Sequence, residues 1–123
     1  MSRVETYRNL HTGTFSVRAL EGARKGRVFF HPTRVVVDNA TFVVQPAGNA
    51  KVRVEGKKNV HAFVRGDLND TYVEVDEAVY RKATYNPYQN DTFVDKETGQ
   101  PVLRAARVIL DIDTGVWYTD GVV

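Results

Sequence analysis

The regular alternation of apolar and polar residues is the feature that most constrains the fold of this chain. In segments such as Thr14–Ala19 and Arg107–Ile112 every second residue is apolar, which is the period of a half-buried β-strand. About nine such segments recur at roughly ten-residue spacing, with turn-favouring residues between them. The pattern predicts an all-β fold, an antiparallel sandwich or a partly open barrel, with at most one short helix.

Particular elements follow from the same pattern. Arg34–Val37 and Ala40–Val44 flank the pair Asp38-Asn39, which predicts a hairpin with a two-residue loop. Alternation also predicts strands at Ala50–Glu55, Val60–Arg65 and Tyr72–Val75. Asp76–Tyr85 fits either a short helix behind an acidic cap or a strand, and the sequence leaves both interpretations open.

Length and composition are those of an ordinary globular domain. The chain has 123 residues, of which 42% are hydrophobic and 26% charged, so we expect one domain spanning residues 1–123. It contains no cysteine, which excludes disulfides and thiolate metal sites. It has neither a signal-peptide core nor the roughly 20 apolar residues of a membrane span. We therefore expect a soluble protein that has no membrane partner.

Charge is divided unevenly along the chain. Residues 1–65 contain 12 Lys/Arg and 4 Asp/Glu, a net charge of +8, whereas residues 66–123 contain 5 and 11, a net charge of −6. Such asymmetry suggests an anionic partner. It equally suits a homo-oligomer with a head-to-tail contact, since complementary charges favour encounter. The third interpretation is that the two halves fold together and their charges mix.

The known catalytic signatures are missing from the sequence. Asp113-Thr114-Gly115 matches the tripeptide of aspartic proteases, but only eight residues follow it, and the same tripeptide makes an ordinary turn between strands. The three histidines, His11, His31 and His61, lack the short ligand spacing of zinc sites. We therefore predict a protein that is not an enzyme and that has no metal and no cofactor.

The segment from Lys57 to Gly66 concentrates hydrogen-bond donors and positive charge. On a strand, the odd-numbered residues from Asn59 to Arg65, Phe63 among them, would share one face, and the smaller apolar residues would face the core. We predict an anion or nucleotide site formed by Lys57, Lys58, Asn59, His61 and Arg65. The alternative is a strand with a mixed, solvated face.

Two other features indicate recognition. Tyrosines beside a rigid Asn-Pro pair are enriched at binding surfaces, so we predict a partner-binding site at Tyr85, Asn86 and Tyr88. Tyrosines can equally pin a loop to its own domain. Arg24, Lys25 and Arg27 occupy a predicted turn, and cations beside strand aromatics are how β-sheet proteins bind single-stranded nucleic acid.

Four segments carry a likeness to known proteins: Tyr7–His11 (YRNLH), Val44–Gly48 (VQPAG), Lys58–Gly66 (KNVHAFVRG) and Tyr85–Tyr88 (YNPY). Together they resemble small, uncharacterised proteins of tailed bacteriophages and prophages. The resemblance brings no catalytic residues and implies a site of action in the host bacterial cytoplasm. The first expectation is a non-catalytic accessory protein of the host-takeover or anti-defence type, which binds a host protein or an anionic nucleotide. The alternatives are a nucleic-acid-binding protein and a tail or head-decoration component.

Overall fold

Nine strands and one helix make up the described part of the chain. The computed structural model describes residues 2–120. In chain order the elements are β1 Arg3–Asn9, β2 Thr14–Ala19, β3 Val28–Phe30, β4 Arg34–Val44, α1 Pro46–Glu55, β5 Ala62–Asn69, β6 Arg81–Thr84, β7 Val94–Asp95, β8 Arg104–Asp111 and β9 Gly115–Thr119.

All nine strands belong to one antiparallel sheet with the order β3-β2-β1-β5-β4-β8-β9-β6-β7. The outermost strands, β3 and β7, do not pair with each other within residues 2–120, so the sheet is not closed. The predicted all-β antiparallel fold with one short helix is confirmed. All the described strands belong to a single sheet, so of the two predicted architectures the partly open barrel describes the fold better than the two-sheet sandwich.

The main core lies on one face of this sheet. Val4 of β1, Val17 of β2, Val37 of β4, Val64 of β5 and Val108 of β8 are each at most 1% exposed and belong to one cluster. Ala83 of β6 and Tyr118 of β9 join the same cluster, although five and four strands, respectively, lie between them and β2. The sheet therefore curls, and its concave face buries the apolar half of the alternating pattern.

β4 is one strand, not the predicted hairpin. It pairs continuously with β8, and its register against β5 shifts between Asp38 and Thr41, which marks a β-bulge. Asn39 has φ 49°, a left-handed conformation that asparagine tolerates. A Cβ on Gly66 of β5 would lie 2.5 Å from the Asp38 carbonyl oxygen, so glycine allows the bulge to approach. The residue pair expected to form a turn therefore forms the bulge.

The segment Ala50–Glu55 was predicted as a strand and is the second half of α1. Pro46 occupies the first turn, where its missing N–H costs nothing, and Gly56 ends the helix with φ 67° and donates its N–H to the Val52 carbonyl. Gly48 and Val52 are buried and Val54 is exposed, so helical spacing, not alternation, decides burial here.

The segment from Tyr72 to Tyr80 contains no strand, contrary to the prediction for Tyr72–Val75. It crosses the convex face, where Val73 and Val75 pack against Val36 and Ile109, and Arg34 donates a hydrogen bond to the Val73 carbonyl. Asp76 accepts N–H groups in a single turn, and β6 follows. The helix interpretation of residues 76–85 is therefore wrong, and the strand interpretation holds for Arg81–Thr84.

The two oppositely charged halves of the sequence lie almost entirely on opposite sides of the sheet, and they meet where β4 pairs with β8. β8 comes from the acidic half and pairs with β4 from the basic half. The Arg34 Nε lies 3.4 Å from an Asp111 carboxylate oxygen, and the Arg107 Nε lies 2.6 Å from an Asp38 oxygen. Charges from the two halves therefore mix along this seam, whereas the other strands of each half pair only with strands of the same half. An anionic partner and a head-to-tail contact stay predictions.

Candidate functional site

A mostly apolar cavity of about 330 Å³ lies where α1, the β1–β2 turn and the loop after β6 meet. Its walls are formed by Arg8, Leu10, Val52, Lys58, Asn59, Val60, His61, Ala62, Tyr85, Pro87 and Tyr88. We call it the outer cavity. Its volume is at the lower end of the range for small-molecule sites, which typically combine an apolar lining with a few polar groups.

A hydrogen-bonded chain of buried side chains holds the cavity wall in place. Asn49 of α1 donates to the Tyr85 hydroxyl at 2.6 Å, and that hydroxyl lies 2.7 Å from His61 Nε2. His61 Nδ1 lies 3.0 Å from the Asn59 carbonyl oxygen. A carbonyl can only accept, so Nδ1 donates to the Asn59 oxygen, and in the neutral imidazole Nε2 accepts from the Tyr85 hydroxyl. His61 is therefore a fixed part of the wall.

The backbone of α1 contacts this wall directly at Gly48. A Cβ added at Gly48 would lie 2.2 Å from His61 Cβ and 2.5 Å from Asn59 Oδ1. Asn59 also donates from Nδ2 to the Gly48 carbonyl at 3.1 Å. The absence of a side chain at this one helical position therefore sets the distance between α1 and the segment that forms the cavity.

Two cations at the cavity have no partner in the described chain. Arg8 and Lys58 are exposed, and neither side chain makes an ion pair or hydrogen bond within residues 2–120. Arg53 of α1 differs, because it donates to the Pro87 carbonyl and pairs with Asp91 at 3.0 Å, and so fixes the loop. The rim also exposes large apolar surface, with Leu10 63% and Tyr88 62% exposed.

The structure unites parts of the two predicted sites. Lys58, Asn59 and His61 of the predicted anion site share the outer cavity with Tyr85 and Tyr88 of the predicted partner site. Asn86 does not line it and accepts the Tyr88 N–H inside its own loop. Lys57 is exposed outside the lining and accepts from Asn59 through its carbonyl.

Arg65 lies apart from this group. Its Nε donates to Glu5 Oε2 at 2.6 Å, and Glu5, which is 4% exposed, also pairs with Arg18 at 3.4 Å. Arg65 does not line the outer cavity. Its guanidinium pairs with a buried carboxylate on the convex face, and this contact stabilises the fold.

The predicted alternation across residues 59–65 is wrong at its start. β5 begins at Ala62, so residues 59–61 are outside the sheet and do not follow its two-residue period. Val60, expected in the core, is 46% exposed, while His61 and Phe63, expected on a surface, are 6% and 5% exposed. Phe63 packs edge-on against Tyr7 with ring centroids 5.8 Å apart.

Sequence reasoning also missed several lining residues, namely Arg8, Leu10, Val52 and Pro87. Arg8 and Leu10 precede a turn, and Val52 lies in the helix that was mistaken for a strand. A proline in the first turn and a glycine after the last turn were the available signals for that helix. No local signal connects residues 8–10 to residues 58–62.

A second polar cluster is buried at the other end of the sheet. Asp95 is 3% exposed and accepts hydrogen bonds from the Tyr118 hydroxyl at 2.5 Å and from Arg81 Nε at 2.7 Å. Burial alone would raise the pKa of Asp95, but these bonds and the N–H groups of Thr98 and Glu97 hold it well below the usual range. Burial and the adjacent carboxylate raise the pKa of Tyr118 to about 12. The cluster ties β6, β7 and β9 together.

The described residues contain neither a cluster of metal ligands nor a membrane-spanning helix. Across residues 2–120 no three His, Asp or Glu side chains converge as metal ligands would. In the same part of the chain, no helix has the length and apolar character needed to cross a membrane.

The predicted turn at Asp113-Thr114-Gly115 is confirmed, since Asp111 accepts the N–H groups of Asp113 and Thr114 between β8 and β9.

Comparison with known proteins identifies the family. The model of the Mycobacterium phage L5 gene 82 protein family matches residues 1–119. The chain belongs to this family. The gene 82 protein of Mycobacterium phage L5 is 45% identical over 120 residues, which cover 93% of each chain. The resemblance to small phage proteins is therefore confirmed. No solved structure matches the chain.

Proposed function

We propose that this member of the gene 82 protein family is a non-catalytic binding protein whose outer cavity takes a small anionic ligand with a planar ring, of the nucleotide class. The observation that carries the proposal is the pair of unpartnered cations, Arg8 and Lys58, beside an apolar cavity with an exposed tyrosine. A phosphate would be held by the cations, and a ring would pack against Tyr88 and Leu10.

The rigidity of the wall supports a binding role. Ligand pockets are usually largely preformed, because ordering side chains on binding costs affinity. Here Tyr85 and His61 are fixed by hydrogen bonds to Asn49 and Asn59. The family's phage origin supports action inside the infected bacterium, in the cytoplasm, by sequestering a ligand that the host makes.

The test is a thermal-shift screen with nucleotides, followed by calorimetry on the best ligand. A ligand at a hundredfold excess over its Kd should stabilise the protein by about 2.7 kcal/mol. Arg8→Gln or Lys58→Gln should weaken binding about tenfold or more, since each removes a charge-assisted contact. Lys51→Gln removes an exposed charge of α1 outside the cavity and should leave affinity unchanged. Equal losses in all three variants would contradict the proposal.

Single-stranded nucleic acid is the second candidate. Arg24, Lys25 and Arg27 are exposed in the β2–β3 loop without an ion pair in the described chain, and Arg24 lies 5.5 Å from the centre of the Phe29 ring. Short oligonucleotides in the same screen test it. Binding to this loop should fall steeply with salt, because phosphate contacts release counterions.

Detection of the protein in purified phage particles by mass spectrometry would support a virion role instead.

A further inference from the structure

A second cavity of about 330 Å³ adjoins the outer cavity. It lies on the concave face of the curled sheet, between strands from its two sides, and we call it the inner cavity. Its mainly apolar lining includes Phe15, Val64, Phe93, Leu110 and Val116. The two cavities have Arg8, Ala62 and Tyr85 in common.

Tyr85 and Arg8 have different roles at this junction. Tyr85 is held by its hydroxyl and by ring contact with Phe93 at 5.4 Å, so it forms a fixed partition. Arg8 is exposed and without an ion pair, and it borders both cavities. One positive charge is therefore placed between two apolar compartments of similar size.

From this arrangement, and resting on the proposed function, we infer that the ligand is a dinucleotide. Its linking phosphate would lie at Arg8, one base would occupy the outer cavity and the other the inner cavity. Each volume is near the lower limit for a small-molecule site, so each compartment suits one ring system.

The inner lining favours a base over a plain hydrocarbon chain. It contains the polar residues Thr6 and Thr84 beside the aromatic rings of Phe15 and Phe93. The Thr6 hydroxyl is buried and has no hydrogen-bond partner within the described residues. A base has ring faces for the aromatic side chains and edge atoms for the Thr6 hydroxyl, whereas a hydrocarbon chain would leave that buried hydroxyl unsatisfied.

The experiment compares the binding of ligands that carry one base with that of ligands that carry two. The probes are adenosine monophosphate and adenylyl adenosine, in which one phosphodiester joins two adenosines, with the guanosine, cytidine and uridine counterparts. Thr84→Phe narrows the inner cavity from an exposed position, so folding should be preserved, and Val60→Phe does the same for the outer cavity. Circular dichroism of each variant confirms that it is folded.

We expect the best dinucleotide to bind the wild-type protein at least about tenfold more tightly than its mononucleotide, since a second ring adds a stacking contact. Thr84→Phe should remove that advantage without affecting the mononucleotide. Val60→Phe and Arg8→Gln should weaken both. Equal affinity of the two ligands, or dinucleotide binding unaffected by Thr84→Phe, would overturn this inference and leave the proposed function standing. No binding by any probe would overturn both.

Discussion

Substitution of Gly48 by alanine is the most direct test of how the outer cavity is built. In an ordinary helix this change stabilises a protein by about 1 kcal/mol, because glycine is the poorer helix former. Gly48 is different, because a Cβ there would lie 2.2 Å from His61 Cβ and ordinary contact begins at 3.4 Å. α1 and the His61 segment must therefore move apart by about 1 Å.

The cost follows from the contacts that this movement stretches. It weakens the Asn59–Gly48 hydrogen bond of 3.1 Å and the Asn49–Tyr85 bond of 2.6 Å, each contributing about 1 kcal/mol. Overpacking a tight contact adds about 1–3 kcal/mol. After subtracting the helix-propensity gain, we expect a net loss of about 2 kcal/mol in the free energy of unfolding.

The assay is urea unfolding followed by circular dichroism, with Ala50→Gly as the matched control. Ala50 is exposed in the same helix, so its replacement reports propensity alone and should cost about 1 kcal/mol. If Gly48→Ala instead stabilises the protein by about as much as Ala50→Gly destabilises it, the close approach of α1 to His61 does not constrain the site, and the reasoning is refuted.

Two further predictions concern the charged groups. Arg65→Ala should destabilise the fold by about 1–3 kcal/mol, because the buried Glu5 carboxylate loses its shorter ion pair and keeps only the longer one with Arg18. Calorimetry should show unchanged ligand affinity, and a loss of affinity would mean that Arg65 belongs to the site. Asp95→Asn should cost about 2–3 kcal/mol at neutral pH, since it removes the charge that Arg81 and Tyr118 contact. Because folding lowers the pKa of Asp95, its contribution is fully present above the ordinary value of 3.8 and is lost as the pH falls below it. The wild-type and Asp95→Asn unfolding curves, measured by urea titration from pH 7 to pH 2, should therefore converge in acid, and a constant gap would contradict this account.

The sequence by itself determined the fold class. A two-residue period depends only on which face of a strand each side chain occupies, and that is a local property. Within the strand β5 it assigned Val64 to the core, where it is 1% exposed, whereas Val60, which precedes the strand and was assigned to the same face, is 46% exposed. The phage likeness was also readable from four short segments, and the family match confirms it.

Only the tertiary structure decided how the strands are bent and what the loops become. Asp38-Asn39 forms a bulge instead of a turn because β5 and β8 pair with both sides of it and Gly66 leaves room for it. Ala50–Glu55 alternates like a strand but is helical, because Pro46 and Gly56 bound the helix and Val52 is buried at helical spacing. Tertiary context overrides a weak local preference in both places.

For the same reason, the sequence predicted which residues belong to the candidate site better than it predicted how they come together. The sequence singled out the chemistry of Lys58, Asn59, His61, Tyr85 and Tyr88, because donors and tyrosines clustered locally. Their meeting in one cavity depends on α1 packing against residues 59–61 and on Arg53 and Asn49 holding the loop after β6. Arg8 lines both cavities because the sheet curls, and the curl brings residues that are distant in sequence together where the two cavities meet. Alternation reports the face that a side chain occupies, and only the paired, curled sheet decides which side chains come together there.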